Sequence, residues 1–325
     1  MAQEPQLFDP GSMFSYNNAG FCILGRIVEV LRQAPFDDCL RRYLFEPLGL
    51  EHAAAGPYEA ILHRAAVGHL SPDGDKWEAS TVWALPRSLA AAGAMLATSA
   101  RDLATFGRMH CNAGVADSGT RVISSNSVAA MQERQLATPW IPNRLDEHLS
   151  WCLGWISYDW PTGRVIGHDG GALGQRSFLR VVPGKNVVVA LLTNGGQANS
   201  LYERLFTRIL DDLADITVPP FQIAPAEPKR VDASRYVGTY SSRMFTSVVT
   251  QDDAGRVWLE QTPVELAATL LQEPHRVELL HYRDDSFVAA EPEEGLYLPF
   301  TFVGSRDSGP AQFLHIGRAD PRVGP

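Results

Sequence analysis

Two short segments of the sequence hold polar side chains that could do chemistry. The first, residues 10–20, holds Tyr16 and Asn18 just before an apolar helical pattern. The second, residues 166–171, reads Ile-Gly-His-Asp-Gly-Gly and places His168 after a β-rich stretch. Phenol, amide and imidazole groups exchange hydrogen bonds, and the phenol and the imidazole can also exchange protons. Taken separately, each segment also has a purely structural explanation, because helix caps and tight turns favour Asn and Gly.

Other catalytic chemistries lack their signatures in this sequence. There is no His-Glu-x-x-His and no tight His/Cys cluster, so no metal site is predicted, and His275 and His281 are interpreted as strand surface. The glycine run 170–174 is not followed by Lys-Ser or Lys-Thr and lacks the strand-to-helix context of a dinucleotide site. No Gly-x-Ser-x-Gly occurs, which disfavours an α/β-hydrolase. We therefore expect neither a metal nor an organic cofactor.

Composition excludes several classes of partner. The 325 residues are 45% hydrophobic and 20% charged, which is typical of a globular chain. A formal net charge of −9 with interspersed charges argues against a nucleic-acid partner. No apolar run reaches the roughly 18–20 residues of a membrane span. The first residues lack the pattern of a signal peptide, so the chain as given is predicted to be cytoplasmic, with its true compartment unknown. Its four cysteines contain no Cys-x-x-Cys and are predicted to be reduced.

A predicted linker at residues 218–230 divides the sequence. Four prolines within this stretch cannot continue a helix or a central strand. Before the linker, residues 1–217 mix helical and strand patterns, which predicts an α+β domain with an antiparallel sheet flanked by helices. After it, residues 231–325 hold short strands separated by polar turns, which predicts a small all-β domain, either a barrel or a sandwich.

The apolar spacing locates the individual elements. Helices are predicted over residues 19–32, 36–45 and 199–213, and Ser99 is predicted to cap another. Strands are predicted before the linker over residues 151–159, 164–168, 176–182 and 187–193. After the linker they are predicted over residues 236–240, 245–250, 256–261, 277–282, 286–290, 300–304 and 312–317.

The two chemistry-bearing segments together resemble a known family. Residues 16–18 (Tyr-Asn-Asn) resemble the Tyr-x-Asn motif of the serine β-lactamase and penicillin-binding-protein-like hydrolases. Residues 168–170 (His-Asp-Gly) resemble the His-x-Gly form of their third motif, found in esterase and D-amino-acid peptidase relatives. Segments that also match in order are residues 45–50, 98–103 and 193–195. The resemblance covers residues 10–213, and the all-β tail is similar to domains appended to such hydrolases.

The resemblance implies a partial β-lactamase/transpeptidase-like fold and an acyl-enzyme mechanism acting on an amide, ester or β-lactam. The substrate would be a small molecule or a short peptide. Tyr16 would relay a proton once nearby positive charge lowers its pKa, and Asn18 would hold the substrate carbonyl or amide. His168 would face Tyr16 as a polar or partly cationic group. Gly170 would let the substrate approach the strand, and the Gly171 N–H would be one oxyanion donor.

The family mechanism also needs a Ser-x-x-Lys pair, which this sequence does not contain. Three residues before Lys76, Lys185 and Lys229 stand aspartate, valine and alanine. Three explanations stay open. The chain is a fragment of a serine hydrolase that lacks the family's opening strands, or a non-catalytic ligand-binding or regulatory relative, or an enzyme with a substitute nucleophile such as Ser12 or Ser15. The first explanation predicts a dimer or a complementing chain as partner.

Overall fold

The chain forms two compact units in a computed structural model. The structure describes residues 5–71, 76–139, 149–264, 268, 274–293, 295–304 and 309–324. The first unit comprises Met1–Tyr16, Leu136–Leu149 and Pro220–Pro325, and the second comprises Asn17–Gln135 and Ser150–Pro219.

Helices make up much of the second unit. They are α1 (Asn18–Arg32), α2 (Phe36–Leu40), α3 (Glu46–Leu48), α4 (Pro57–Ala60), α5 (Ala100–Cys111), α6 (Ser125–Gln132) and α7 (Ala198–Ala214). Short 3₁₀ turns lie at Arg87–Ala92 and Pro183–Lys185. Asn17 caps α1 by accepting a hydrogen bond from the Gly20 N–H, and Ser99 caps α5 by accepting one from Asp102. The predicted helices at 19–32 and 199–213 and the Ser99 cap are confirmed.

The second predicted helix, 36–45, is wrong in where it ends. A π-helical turn, Arg41–Phe45, follows α2 and leads directly into α3. The helix ends where Gly49 adopts a left-handed conformation with φ of 65°. A proline removes one backbone donor, so it normally breaks a helix. Here Pro47 directly follows the π-helical turn without ending the helix, and Gly49 supplies the actual stop.

An antiparallel sheet forms the centre of the second unit. Its strands lie in chain order as β4 (Leu149–Trp151), β5 (Ile156–Trp160), β6 (Gly163–Ala172), β7 (Gln175–Val182) and β8 (Val187–Thr193). Earlier short strands are β1 (His69–Leu70), β2 (Glu78–Ala79) and β3 (Leu136–Ala137). The strand predicted over 151–159 is two strands, because a turn at Cys152–Trp155, with Gly154 at φ of 84°, interrupts it.

Helices cover both faces of this sheet. Successive side chains of a strand point to opposite faces. On β7, Leu179 and Val181 pack in a core with Trp155, whereas Phe178 stacks on Tyr202 of α7 with ring centroids 4.6 Å apart. Helix α5 lies close to the strands because it carries a glycine, Gly107, where a Cβ would come within 2.5 Å of a valine methyl on β8.

The first unit contains a closed barrel. Its strands are β9 (Gly238–Ser241), β10 (Phe245–Gln251), β11 (Val257–Pro263), β12 (His275–Arg283), β13 (Ser286–Ala289), β14 (Pro299–Val303), β15 (Phe313–His315) and β16 (Ala319–Gly324). They are ordered β10-β11-β12-β13-β14-β15-β16-β9. The interior is packed with aromatic and aliphatic side chains, among them Tyr240, Phe287 and Phe302. The barrel alternative is therefore confirmed; β16 was not predicted, because Pro321 interrupts its strand pattern.

Residues before Tyr16 pack on the turn between β15 and β16, within the first unit. The buried imidazole of His315 contacts the Phe14 carbonyl oxygen at 2.8 Å. The Tyr16 N–H donates to the Gly317 carbonyl at 2.9 Å, and the Ser15 hydroxyl accepts from the Ala319 N–H at 3.2 Å. These contacts fix the backbone that carries Tyr16.

Three negative findings apply to the described ranges. No helix there is both long and apolar enough to cross a membrane. No cluster of three or more His, Cys, Asp or Glu side chains in the same ranges could hold a metal ion. All four cysteines are free thiols, with Cys39 and Cys152 buried and Cys22 and Cys111 half-buried.

Candidate functional site

His168 lies in the middle of β6, half-buried. Its Nδ1 is 2.6 Å from the carbonyl oxygen of Asp169. A carbonyl only accepts hydrogen bonds, so Nδ1 carries the proton and Nε2 is the unprotonated nitrogen of the neutral ring. Burial lowers the pKa of His168 below its ordinary value, and the nearby Asp169 opposes this effect only in part. Of the two states expected, polar or partly cationic, burial favours the neutral polar imidazole, and the role of His168 stays a prediction.

Trp151 packs against both the helix that starts at Asn18 and the strand that carries His168. The Trp151 ring packs edge-on against the His168 ring at 5.9 Å between centroids. It packs in the same manner against Phe21 of α1 at 6.4 Å. Because Phe21 lies one turn after Asn18, the first turn of α1 and the centre of β6 share one aromatic neighbour. The sequence offers no signal for Trp151 beyond its place in a predicted strand.

Asn18 is the first residue of α1 and is half-buried. The capping role falls to its neighbour Asn17, whose side chain accepts the Gly20 N–H at 3.1 Å. The structural explanation offered for Asn18, a helix cap, is therefore wrong. Its amide is left for another role, and the expectation that it holds a substrate carbonyl stays a prediction.

Gly170 and Gly171 lie exposed at the end of β6, opposite β7. A Cβ at Gly170 would stand 2.4 Å from the Ser177 hydroxyl, and one at Gly171 would stand 2.6 Å from the Arg176 guanidinium. Neighbouring side chains of β7 thus occupy the space that these glycines leave. The oxyanion role of the Gly171 N–H stays a prediction.

Gly167, immediately before His168, lies in the tightest backbone contact of this strand. A Cβ there would stand 2.2 Å from the Leu179 carbonyl oxygen, and backbone cannot move away as a side-chain tip can. We expect Gly167→Ala to lower the free energy of unfolding by about 1–3 kcal/mol, measured by urea denaturation. The control is Gly184→Ala, where no atom lies within 4 Å of the new Cβ. Equal stability of the two variants would contradict the prediction.

Tyr16 belongs to the first unit, whereas Asn18, His168, Gly170 and Gly171 belong to the second. Burial raises the pKa of the Tyr16 phenol above 10.0, and the positive charge of Arg318 opposes this effect only in part. The Arg318 guanidinium lies 5.5 Å from the centre of the Tyr16 ring. The expected lowering of the Tyr16 pKa is therefore wrong for the protein as described, because desolvation of the phenolate outweighs a single cation.

Known proteins are similar to this chain in sequence and in fold. The sequence profile of the β-lactamase family matches residues 1–214, more than half of the chain. The chain belongs to the β-lactamase family. Penicillin-binding protein 4 of Amycolatopsis lactamdurans is 45% identical to it over 232 residues, which are 71% of this chain and 60% of that protein. The chain thus spans less than two thirds of the length of that relative.

Solved structures agree with this membership. The crystal structure of SurE has a TM-score of 0.75 and 29% identity, covering 99% of this chain and 71% of that one. SurE with D-Leu gives a TM-score of 0.69 at 28% identity, covering 99% and 70%. An octameric penicillin-binding protein homologue from Pyrococcus abyssi shares the fold, with a TM-score of 0.52 and 17% identity over 92% of this chain and 63% of that one. The likeness to SurE covers 99% of this chain and so includes the barrel, whereas the family profile ends at residue 214.

Proposed function

We propose that this chain carries the proton-relay and substrate-holding part of a serine hydrolase that forms an acyl-enzyme. The observation that carries the proposal is the Phe21–Trp151–His168 contact, with centroids 6.4 and 5.9 Å apart. Through it the helix beginning at Asn18 and the strand of His168 pack on one ring in a β-lactamase-family chain. Tyr16, directly before that helix, is the proposed proton relay.

His168 is proposed to act as a neutral hydrogen-bonding group. With Nδ1 protonated, Nε2 accepts a proton or a hydrogen bond, as expected of a group that assists a proton relay. Asn18 is proposed to hold the substrate carbonyl through its amide, and the Gly171 N–H to help stabilise a tetrahedral oxyanion. Gly170, exposed near the end of β6, is proposed to let the substrate approach the strand backbone.

The substrate class we propose is an amide or ester at a D-amino-acid residue of a short peptide. Support comes from the likeness over 99% of this chain to a structure of SurE with D-Leu, and from the 45% identity to a penicillin-binding protein. Hydrolysis of a β-lactam or of a simple ester would use the same groups and is an outcome of the test.

Acylation requires an activated nucleophile, and the family's Ser-x-x-Lys pair is not in this sequence. We therefore propose that these 325 residues do not form the acyl-enzyme by themselves. The pair would come from a longer form of the protein or from a complementing chain, and the octameric homologue is an example of assembly within this fold.

Intact-mass analysis after treatment with a fluorophosphonate or penicillin tests this proposal. The 325-residue chain is expected to gain no mass, whereas a form that includes a Ser-x-x-Lys segment encoded upstream of Met1 is expected to gain one adduct. A stoichiometric adduct on Ser12 or Ser15 of the present chain would contradict the proposal and support a substitute nucleophile. A p-nitrophenyl ester and a D-amino-acid peptide then measure turnover by the longer form.

The second candidate function is a non-catalytic binding or regulatory protein. The missing Ser-x-x-Lys pair is the observation that favours it. It predicts that the chain binds a D-amino-acid peptide, measured by calorimetry, while no form of the protein is acylated. An adduct on a longer form would exclude this candidate.

A further inference from the structure

An ion pair joins the strand that carries His168 to its neighbour β7. The Asp169 carboxylate accepts two hydrogen bonds from Arg180 of β7, from Nη1 at 2.6 Å and from Nη2 at 3.0 Å. The Arg180 side chain is 1% exposed, and that of Asp169 is 40% exposed. Two parallel hydrogen bonds fix orientation as well as distance, so this pair defines where Asp169 lies.

Arg180 is itself held from several directions. Its Nη1 also donates to the Leu179 carbonyl at 2.9 Å. The guanidinium lies 4.4 Å from the centre of the Tyr158 ring on β5 and 5.0 Å from that of Tyr202 on α7. Aromatic faces attract a cation, and they attract it more strongly away from water. Arg180 is therefore a fixed anchor rather than a mobile surface cation.

The pair acts on His168 because the two residues of β6 are adjacent. Their side chains point to opposite faces of the sheet. The backbone oxygen that accepts the hydrogen bond from His168 Nδ1 belongs to Asp169. The ion pair holds the Asp169 side chain on one face of the sheet. It therefore also fixes the backbone carbonyl that orients the His168 imidazole on the other face.

We propose that Asp169 and Arg180 are positioning residues for His168, which fix its ring orientation and the hydrogen bond from its Nδ1 to the Asp169 carbonyl. The inference rests on the proposed role of His168 in catalysis, but it concerns a ring orientation that is present in this chain by itself. Neither residue is proposed to touch the substrate.

The electrostatic effects of the two partners on His168 have opposite signs. Burial, with the Trp151 ring packed against the imidazole, is the main cause of its lowered pKa. Asp169 raises that pKa and Arg180 lowers it. Removing the positive charge should therefore raise the His168 pKa, and removing the negative charge should lower it. Such shifts follow from the two charges alone, so the readout of the positioning role is the hydrogen bond from His168 Nδ1 to the Asp169 carbonyl.

The test is a pH titration of the full chain by NMR with labelled histidine. His168→Gln assigns the signal among the nine histidines. We expect Arg180→Met to raise the His168 pKa and Asp169→Asn to lower it. Arg180→Lys keeps the positive charge, so the His168 pKa in this variant should stay near that of the wild type. The signal of Nδ1 should report a weakened hydrogen bond in both neutralised variants.

Arg134→Met is the control for the loss of an arginine, because the half-exposed Arg134 pairs with Asp159 of β5 at 2.6 Å and is not among the charges that act on His168. It should leave the His168 titration unchanged. An unchanged Nδ1 hydrogen bond in folded Asp169→Asn, or shifts of the same sign in both neutralised variants, would overturn the proposal. If Arg180→Met does not fold by circular dichroism, Asp169→Asn and Arg180→Lys decide the question.

This outcome is independent of the proposed function. A failed titration test with successful acylation of a longer form would remove only the positioning role. If the His168 pKa shifts in opposite directions but no form of the protein is acylated, the effect of the ion pair on His168 is established and the proposed hydrolase function is refuted.

Discussion

Tyr16→Phe is expected to lower kcat of a Ser-x-x-Lys-containing form by about 10²- to 10⁴-fold, the usual contribution of a general acid or base. The substitution removes only the hydroxyl, the group that would pass a proton to the leaving atom. Substrate binding should change little, so KM stays similar while kcat falls. Steady-state kinetics with a D-amino-acid peptide or a p-nitrophenyl ester measures both constants.

Tyr43→Phe provides the matched control for that experiment. Tyr43 is 40% exposed on the helical segment after α2, and it has no proposed part in catalysis. The loss of the Tyr43 hydroxyl should leave kcat and KM unchanged. Full kcat in Tyr16→Phe, with the fold intact by circular dichroism, would refute the relay role of Tyr16.

Acidification between pH 6.5 and 4 is expected to destabilise the second unit through His110. This residue of α5 is 2% exposed, and neither ring nitrogen has a hydrogen-bond partner. Burial lowers its pKa to about 4. Its ring packs against Phe106 and Trp155, with centroids 5.0 and 4.9 Å away, so a charge there would be poorly solvated.

The direction follows from the two pKa values. The unfolded chain takes up a proton near pH 6.5, whereas folded His110 takes it up only near 4. Its contribution is fully present above pH 6.5 and is lost as the pH falls towards 4. The difference corresponds to about 3 kcal/mol. Urea denaturation at pH 7, 5.5 and 4 measures the loss.

Tryptophan fluorescence follows the second unit in this experiment. It holds five of the seven tryptophans: Trp77, Trp83, Trp151, Trp155 and Trp160. His110→Leu removes the titrating group and should reduce the loss of stability between pH 6.5 and 4. If that variant loses as much stability as the wild type over this range, the assignment to His110 is wrong.

The barrel unit should respond less to the same change in pH. Burial lowers the pKa of His315 to about 4, which destabilises the folded state on acidification. Burial also raises the pKa of Asp320 to about 6, and this acts in the opposite direction: its contribution is present below pH 3.8 and is lost as the pH rises through 6. These two effects largely cancel between pH 6.5 and 4.

Local patterns in the sequence predicted most elements of the fold. Helix α1, the Ser99 cap and strand β8 depend on the spacing of apolar residues or on one capping side chain, so short stretches suffice to find them. The predictions failed where a distant contact or a special backbone conformation determines the bounds of a helix or strand. The helix continuing to Leu48, the break at Cys152–Trp155 and strand β16 are examples. The domain limits 1–217, 218–230 and 231–325 stay a prediction.

By itself, the sequence determined the family, the α+β and all-β classes and the candidate residues, because residue types in a fixed order carry that information. The tertiary structure decided the protonation state of these residues and which side chains hold them in place. His168 is neutral and the Tyr16 phenol has a raised pKa because burial removes water from both. Trp151, Asp169 and Arg180 support the strand and helix of the site from positions that no spacing rule connects. Desolvation and long-range packing depend on which distant segments meet, and only the folded chain brings them together.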